Sequence, residues 1–178
     1  MKIVVDPGHS GTVEPGACAG SVRECDVVLV IAKLLAEQLY EQGHEVLLTR
    51  NGDIDTDALD FRAGLANSNQ ADLFVSIHAN SAANQAARGT EVYHYPGSEE
   101  GQRLAGLIQA RMVAELKTAD RGVKKAHFQV LSETVCPAVL VEVAFISNED
   151  DRRLLTAYAC QLGTALAIVA GIEQYFLE

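Results

Sequence analysis

The sequence predicts a single α/β domain built on a mostly parallel or mixed twisted sheet of about six strands, with helices covering both faces. Short apolar runs alternate with stretches of helical periodicity nearly throughout the 178 residues. Two of the runs, Ile3-Val4-Val5 and Val139-Leu140-Val141, are apolar without alternation, the pattern of strands buried on both faces. The chain is 48% hydrophobic, long enough for one sizeable core and short for two.

Lys2 to Asp6 reads as a strand that breaks at Pro7-Gly8 and delivers His9 at its C-terminal end. A Gly-rich loop follows to about Val22. From Asp26, placed as an N-cap, the residues Val27, Val30, Ile31, Leu34, Leu35 and Leu39 recur at helical spacing, and Gly43 stands where a C-cap belongs. Glu45 to Thr49 is the next strand. Asp57 to Asn67 is a helix with Asp57 as its cap and Leu59, Phe61 and Leu65 facing inward. Asp72 to His78 is a strand, as is Arg88 to Tyr95, which ends at Pro96-Gly97. Ser98 then opens a helix to about Leu116. Asp120-Arg121-Gly122 reads as a turn stabilised by an ion pair. Ala138 to Val143 is an apolar strand after Pro137, and Asn148 caps a last long helix toward Gly171. With no repeat, low-complexity tract or linker, residues 1–178 are read as one domain.

The net charge of −10 argues against nucleic acid or an anionic membrane as a partner, because both require clustered Lys and Arg. No membrane insertion is expected either. The longest apolar candidate, Leu162 to Ile172, is interrupted by Gly163, Thr164 and Gly171. Cys18, Cys25, Cys136 and Cys160 lack C-x-x-C spacing and are expected to be buried free thiols, with no geometric ground for a Cys18–Cys25 disulfide.

In open α/β sheets ligands gather at the carboxyl ends of strands, which directs attention to His9, to His78 and to Glu142. One histidine at a strand end needs only a hydrogen bond to explain it; two are harder to dismiss. A carboxylate flanked by Val139, Leu140, Val141, Val143 and Phe145 is costly to bury unless it is paired, coordinated or protonated. Such a setting raises its pKa toward that of a general base. Glu24, at the start of the first helix, is adequately explained by the helix dipole alone. Yet two His and one carboxylate form a common catalytic zinc set with a fourth position open, and a second carboxylate completes a hydrolytic site.

The blocks Val5-Asp6-Pro7-Gly8-His9-Ser10-Gly11, Pro15-Gly16-Ala17, Glu24 with Asp26-Val27-Val28-Leu29, and Thr49-Arg50 with Asp53 form an ordered series. It continues through Ser76-Ile77-His78-Ala79-Asn80-Ser81, Gly89-Thr90-Glu91-Val92, Asp120-Arg121-Gly122-Val123-Lys124 and Pro137-Ala138-Val139-Leu140-Val141-Glu142-Val143. In that order and spacing the chain resembles, over nearly its whole length, the zinc-dependent N-acetylmuramoyl-L-alanine amidases of the Amidase_3 type. The resemblance implies a zinc ion (Zn2+) held by His9, Glu24 and His78, with Glu142 as the catalytic carboxylate. The implied substrate is peptidoglycan, cut at the amide between the lactyl group of N-acetylmuramic acid and the L-alanine of the stem peptide. Three positions depart from the family pattern: Ala144 in place of glycine, Cys25 in place of lysine and Glu14 in place of aspartate. They bear on loop conformation and on the electrostatics of the site.

No helical insertion that could plug the site is evident; Asn80 to Arg88 is too short, so an open cleft is expected. Asn80, His127 and Arg121 are candidates for substrate contact. His44 reads as part of a surface turn, and His94 as structural or exposed. Ser10, Ser76 and Ser81 lack a G-x-S-x-G elbow. The alternatives are a zinc peptidase or small-molecule amidohydrolase on a related scaffold, or a non-catalytic wall-binding module. The anionic wall polymer and the acidic chain should repel each other, which close-range contacts would have to overcome. A monomer is expected. Without an export signal, a phage or prophage endolysin or a mother-cell lysis enzyme is expected, made in the cytoplasm and released to the wall by a non-Sec route.

Overall fold

In the computed structural model, which describes residues 1–55 and 58–177, the apolar runs become β1 (Lys2–Pro7), β4 (Glu45–Leu48), β5 (Leu73–Asn80), β6 (Thr90–His94) and β8 (Ala138–Phe145). β2 (Cys18–Ala19) and β3 (Val22–Arg23) form a small antiparallel ladder inside the stretch expected to be loop, and β7 (Asp120–Lys125) adds an edge. The helices are α1 (Glu24–Glu41), α2 (Leu59–Ser68), α3 (Glu99–Leu116), α4 (Gln129–Ser132), α5 (Glu149–Thr156) and α6 (Tyr158–Leu177).

Six strands form one mixed sheet in the order β4-β1-β5-β8-β6-β7. β4, β1, β5 and β8 run parallel, while β6 is antiparallel to β8 and parallel to β7. Because side chains alternate across a strand, the two faces divide by residue parity. Ile3, Val5, Val75, Ile77, Val139, Val141 and Val143 pack into the large core with α1, α3 and α6. Val4, Phe74, Ala138 and Leu140 pack into a smaller cluster under α2 and α4. Both faces are covered as expected, but unequally. His78 and Glu142 share parity with Phe74 and Leu140, so both project to the thinly covered side.

Several local expectations change. α1 starts at Glu24, with Arg23 rather than Asp26 as N-cap. Loop carbonyls already satisfy its first donors, Glu24 N to Ala17 O at 2.9 Å and Cys25 N to Pro15 O at 3.1 Å, so no side-chain cap is required. Asp26 instead pairs with Arg23. Gly43, at φ +87°, does follow the helix end. The proposed Asp57 cap lies outside the described residues. α2 buries Arg62, Ala63 and Ala66, because the buried Asp6 draws Arg62 inward; of the three residues expected to face inward, Leu65 is half-buried against the smaller cluster. Leu59 and Phe61 are left exposed.

Asp120-Arg121-Gly122 belongs to β7. The turn survives as a local feature, with Asp120 Oδ1 accepting from Gly122 N at 2.9 Å beside a register shift, but the ion pair of Arg121 is with Glu91. Ser98 and Asn148 cap α3 and α5 as expected. The last helix is two helices. Ala157 is extended (φ −82°, ψ 119°), and its carbonyl accepts from Cys160 N and Gln161 N to begin α6 in a new direction. Of the four thiols, all free, only Cys25 is buried; Cys18 is exposed on the β2–β3 ladder, and Cys136 and Cys160 are half-buried.

α6 is a 20-residue helix that, contrary to expectation, is long and apolar enough to cross a membrane by length and composition. Here Ile168, Val169 and Ile172 are buried in the core, and α6 packs on α1 and α3. A Cβ built on Gly171 would sit 2.9 Å from Ile108 Cα, so the helix contact depends on glycine there. Gly171→Ala is expected to destabilise the fold by about 1–3 kcal/mol, read as a lower urea midpoint at unchanged m-value.

Candidate active site

β1 ends at Pro7, and the chain turns sharply so that Gly8 N donates to Ile77 O (3.0 Å) and His9 adopts φ +64°. A side chain at Gly8 would collide with the His78 ring, 2.3 Å from Cε1, and one at Gly16 would strike both Glu24 and His9 at 2.6 Å. These glycines let two imidazoles and a carboxylate crowd together. The rings of His9 and His78 meet edge to face with centroids 4.9 Å apart.

Glu24 enters from the first turn of α1 and is buried. Its Oε2 accepts from Ala17 N (2.9 Å); its Oε1 accepts from Ala79 N (2.9 Å) and faces His78 Nδ1 at 3.1 Å and His9 Nε2 at 2.9 Å. Burial opposes its ionisation, but both histidines outweigh that and hold the carboxyl well below the usual range. His9 is likewise disfavoured as a cation by burial, yet Glu24 and Glu14 raise its pKa on balance.

One ligand atom from each of His9, Glu24 and His78 lies within 4.8 Å of the others, and among the described residues they are the set that could hold a metal ion. His9 Nε2 is buried and, although close to Glu24, is not aligned for a hydrogen bond. Two nitrogen donors and one carboxylate, with an imidazole nitrogen lacking a partner, suit a dication such as zinc. The carboxylates that favour a proton on His9 would equally favour a cation there. Glu14 contacts His9 Nδ1 and also accepts from Gly16 N at 3.0 Å, so it orients the ring and the glycine loop together. The longer acidic side chain at position 14, at first only a departure from a pattern, is thus a partner of His9.

Glu142 stands opposite His78 in the β5–β8 register. Its Oε2 is shut off from solvent and has no hydrogen-bond partner. Burial first, then the charges of Glu24 and Glu91, pushes its pKa well above the ordinary carboxylate range. A cavity of about 280 Å³ joins Glu142 to His9, Glu14 and His78, walled by Leu59, Phe128, Val130 and Leu140. A larger groove, about 660 Å³, lies at the opposite end of β8 around Tyr95, Ser98 and Pro137, and no histidine lines it. The smaller one, with both histidines and the buried carboxylate, is therefore the candidate site.

Beneath the site lies a polar network that the helical pattern concealed. Asp6 accepts from Thr49 Oγ1, Ser76 Oγ and Arg62 Nη1, each at 2.6 Å. Arg62 also donates to Pro7 O (2.9 Å) and His9 O (2.7 Å), while Arg50 donates to Pro7 O (3.0 Å), Gly8 O (2.7 Å) and Cys25 O (2.9 Å). Both guanidiniums are buried and clamp the backbone that carries His9. The only signal in the sequence was a charge, Asp6, inside an apolar strand.

The remaining candidates separate. Asn80 donates to Glu91 Oε1 (2.7 Å), and Arg121 Nε donates to Glu91 Oε2 (2.7 Å), placing both beside Glu142's cross-strand neighbour. His127 is exposed and packs edge-on against Tyr95, outside the cavity wall that Phe128 and Gln129 form. His44 is not on an open turn: its ring is largely covered, near Phe176 and 2.5 Å from Glu173 Oε1. His94 is buried, with Nδ1 3.0 Å from Tyr95 O.

A family described as N-acetylmuramoyl-L-alanine amidase matches residues 3–174. The chain is 39% identical over 177 residues to YqiI of Bacillus subtilis, covering 98% of this chain and 84% of that protein. It is 39% identical over 177 residues to the amidase LytC of the same organism, covering 98% of this chain but only 35% of LytC. Among solved structures, an N-acetylmuramoyl-L-alanine amidase of Clostridium difficile 630 superposes with a TM-score of 0.94 at 33% identity, covering 99% of this chain and 97% of that one.

Proposed function

Because the chain belongs to the N-acetylmuramoyl-L-alanine amidase family, we propose that it hydrolyses the amide between the lactyl group of N-acetylmuramic acid and L-alanine in peptidoglycan, as one zinc-dependent catalytic domain over residues 1–178. The observation that carries this reading is the convergence of His9, Glu24 and His78 within 4.8 Å, beside a buried, unpaired carboxylate on the adjoining strand.

His9, Glu24 and His78 would hold the zinc. When bound it supplies a Lewis acid that acidifies water and polarises the amide carbonyl. Glu142 takes the proton of the attacking water, a task suited to its raised pKa, and returns it to the departing alanine nitrogen. Glu24 stays ionised, and Glu14, in contact with His9 Nδ1, holds that ring in place. Leu59, Phe128, Val130 and Leu140 limit competing water. All four site residues come from one chain, so a monomer suffices.

Digestion of purified peptidoglycan by the zinc-loaded protein is expected to release new L-alanine amino termini without new reducing sugar ends. Cleavage within the stem peptide would instead make it a peptidase. A chelator is expected to abolish turnover and zinc to restore it. Full activity after complete metal removal would overturn the mechanism.

A further inference from the structure

Beyond Glu142 the thinly covered face of the sheet continues over β6 and β7, and it carries a charged cluster not used by the hydrolytic step. Glu91 faces Glu142 directly across the β6–β8 ladder and is 2% exposed. Its Oε1 accepts from Asn80 Nδ2 (2.7 Å) and Tyr93 Oη (2.8 Å); its Oε2 accepts from Arg121 Nε (2.7 Å) and from Lys124 Nζ. Burial opposes the charge of Glu91, but Lys124, Arg121 and Tyr93 keep it ionised.

Two cations therefore share one carboxylate, leaving the cluster one positive charge in excess on a chain of net charge −10. Both side chains remain 34% exposed. Each keeps donors that a single acceptor oxygen does not consume. The Phe145 ring lies under the Arg121 guanidinium at 4.7 Å, and the Tyr93 ring lies 5.8 Å from Lys124 Nζ. Tyr93 in turn packs against Phe128, which walls the catalytic cavity, so a single aromatic contact joins the cationic ledge to the cavity wall.

We propose that Arg121 and Lys124, held in place by Glu91, form a subsite for the carboxylate of the stem residue that follows L-alanine. The proposal rests on the amidase reading above. The charged ends of both side chains sit on Glu91, one strand spacing or about 5 Å from β8, which carries Glu142. One extended residue spans about 3.5 Å, so a stem leaving the cut amide across β6 brings its next carboxylate to this ledge. A fork of guanidinium and ammonium donors suits a carboxylate, and a local positive charge resolves the conflict between an acidic protein and an anionic wall. Asn80 and Tyr93 position Glu91 and need not touch substrate.

The test uses two muramoyl tripeptides that differ only in whether the α-carboxyl of the second residue is free or amidated. The zinc-loaded wild type is expected to prefer the free carboxylate by about tenfold in kcat/KM, chiefly through KM. That ratio should collapse toward one in Arg121→Gln and in Lys124→Gln, and invert in Lys124→Glu. Because each enzyme is compared with itself on two substrates, a general loss of folded protein cancels. Cleavage of both substrates with no preference in the wild type, or a preference unaltered in all three variants, overturns the subsite alone. Failure to cleave either substrate overturns the amidase reading and the subsite with it.

Discussion

Glu142→Gln is expected to retain the fold and bind zinc while losing roughly 10²–10⁴-fold in kcat, the range associated with a positioned general base. Glutamine preserves the shape at the end of β8 but accepts no proton. Wild-type turnover in this variant would remove the assignment. The pH profile supplies a second readout. Burial, then the charges of Glu24 and Glu91, raise the Glu142 pKa in the metal-free protein, and a zinc dication beside it would draw the pKa back down. A base works only when deprotonated; activity should therefore fall as pH drops through the pKa of this carboxylate, and Glu142→Gln should lose that acid limb.

Stability should move in the opposite sense. A group whose pKa is raised by folding contributes stability that is fully present below its unfolded pKa and is lost as pH rises through the folded one. At neutral pH an ionised Glu142 in the metal-free protein is thus a burden on the fold. Its Oε2 has no partner to offset desolvation. Metal-free Glu142→Gln is expected to melt above metal-free wild type at pH 7, with the difference shrinking in acid. Equal melting at both pH values would show that the carboxylate is not strained.

Arg62→Ala should have the largest effect on stability, about 3–5 kcal/mol, because it leaves the buried Asp6 carboxylate without its cation. The same deletion strips partners from Pro7 O and His9 O. His9, held at φ +64°, then loses part of what keeps its backbone in a sparsely populated region. Zinc affinity should consequently drop along with the urea midpoint, through the backbone that Arg62 holds at Pro7 and His9. Arg62→Lys is expected to restore part of the stability by keeping a charge near Asp6, while restoring less of the zinc affinity. A lysine cannot span Asp6, Pro7 O and His9 O together. Unchanged zinc binding in a folded Arg62 variant would reduce the clamp to a purely structural device.

Much of this fold is legible wherever a short pattern is enough. The apolar strands, the Ser98 and Asn148 caps and the glycine after α1 follow from local rules and are found in place. Residue order also marked His9, His78 and Glu142 as candidates, because two strand-end histidines and a carboxylate inside an apolar strand are difficult to explain separately; Glu24 joined them only as part of a common zinc set and through the family resemblance. Features set by distant partners are not legible in this way. The inward face of α2 is chosen by Asp6, 56 residues away from Arg62, and no helical periodicity contains that. The capless start of α1 depends on carbonyls of Ala17 and Pro15 returning from a loop. The break at Ala157 reflects α5 packing on β8 while α6 packs on α1 and α3.

The sequence by itself pointed to an α/β sheet, mostly parallel or mixed, to one family of amidases and to four candidate residues. Only the tertiary structure decided that His78 and Glu142 project to the thinly covered face, that Glu14 contacts His9, that two buried arginines hold the loop carrying His9, and that Arg121 faces Glu91 rather than Asp120. The reason is physical. Strand and helix periods are set within a few residues by sterics and burial, whereas side-chain partners across a sheet are set by register and topology, which bring together atoms far apart in the chain.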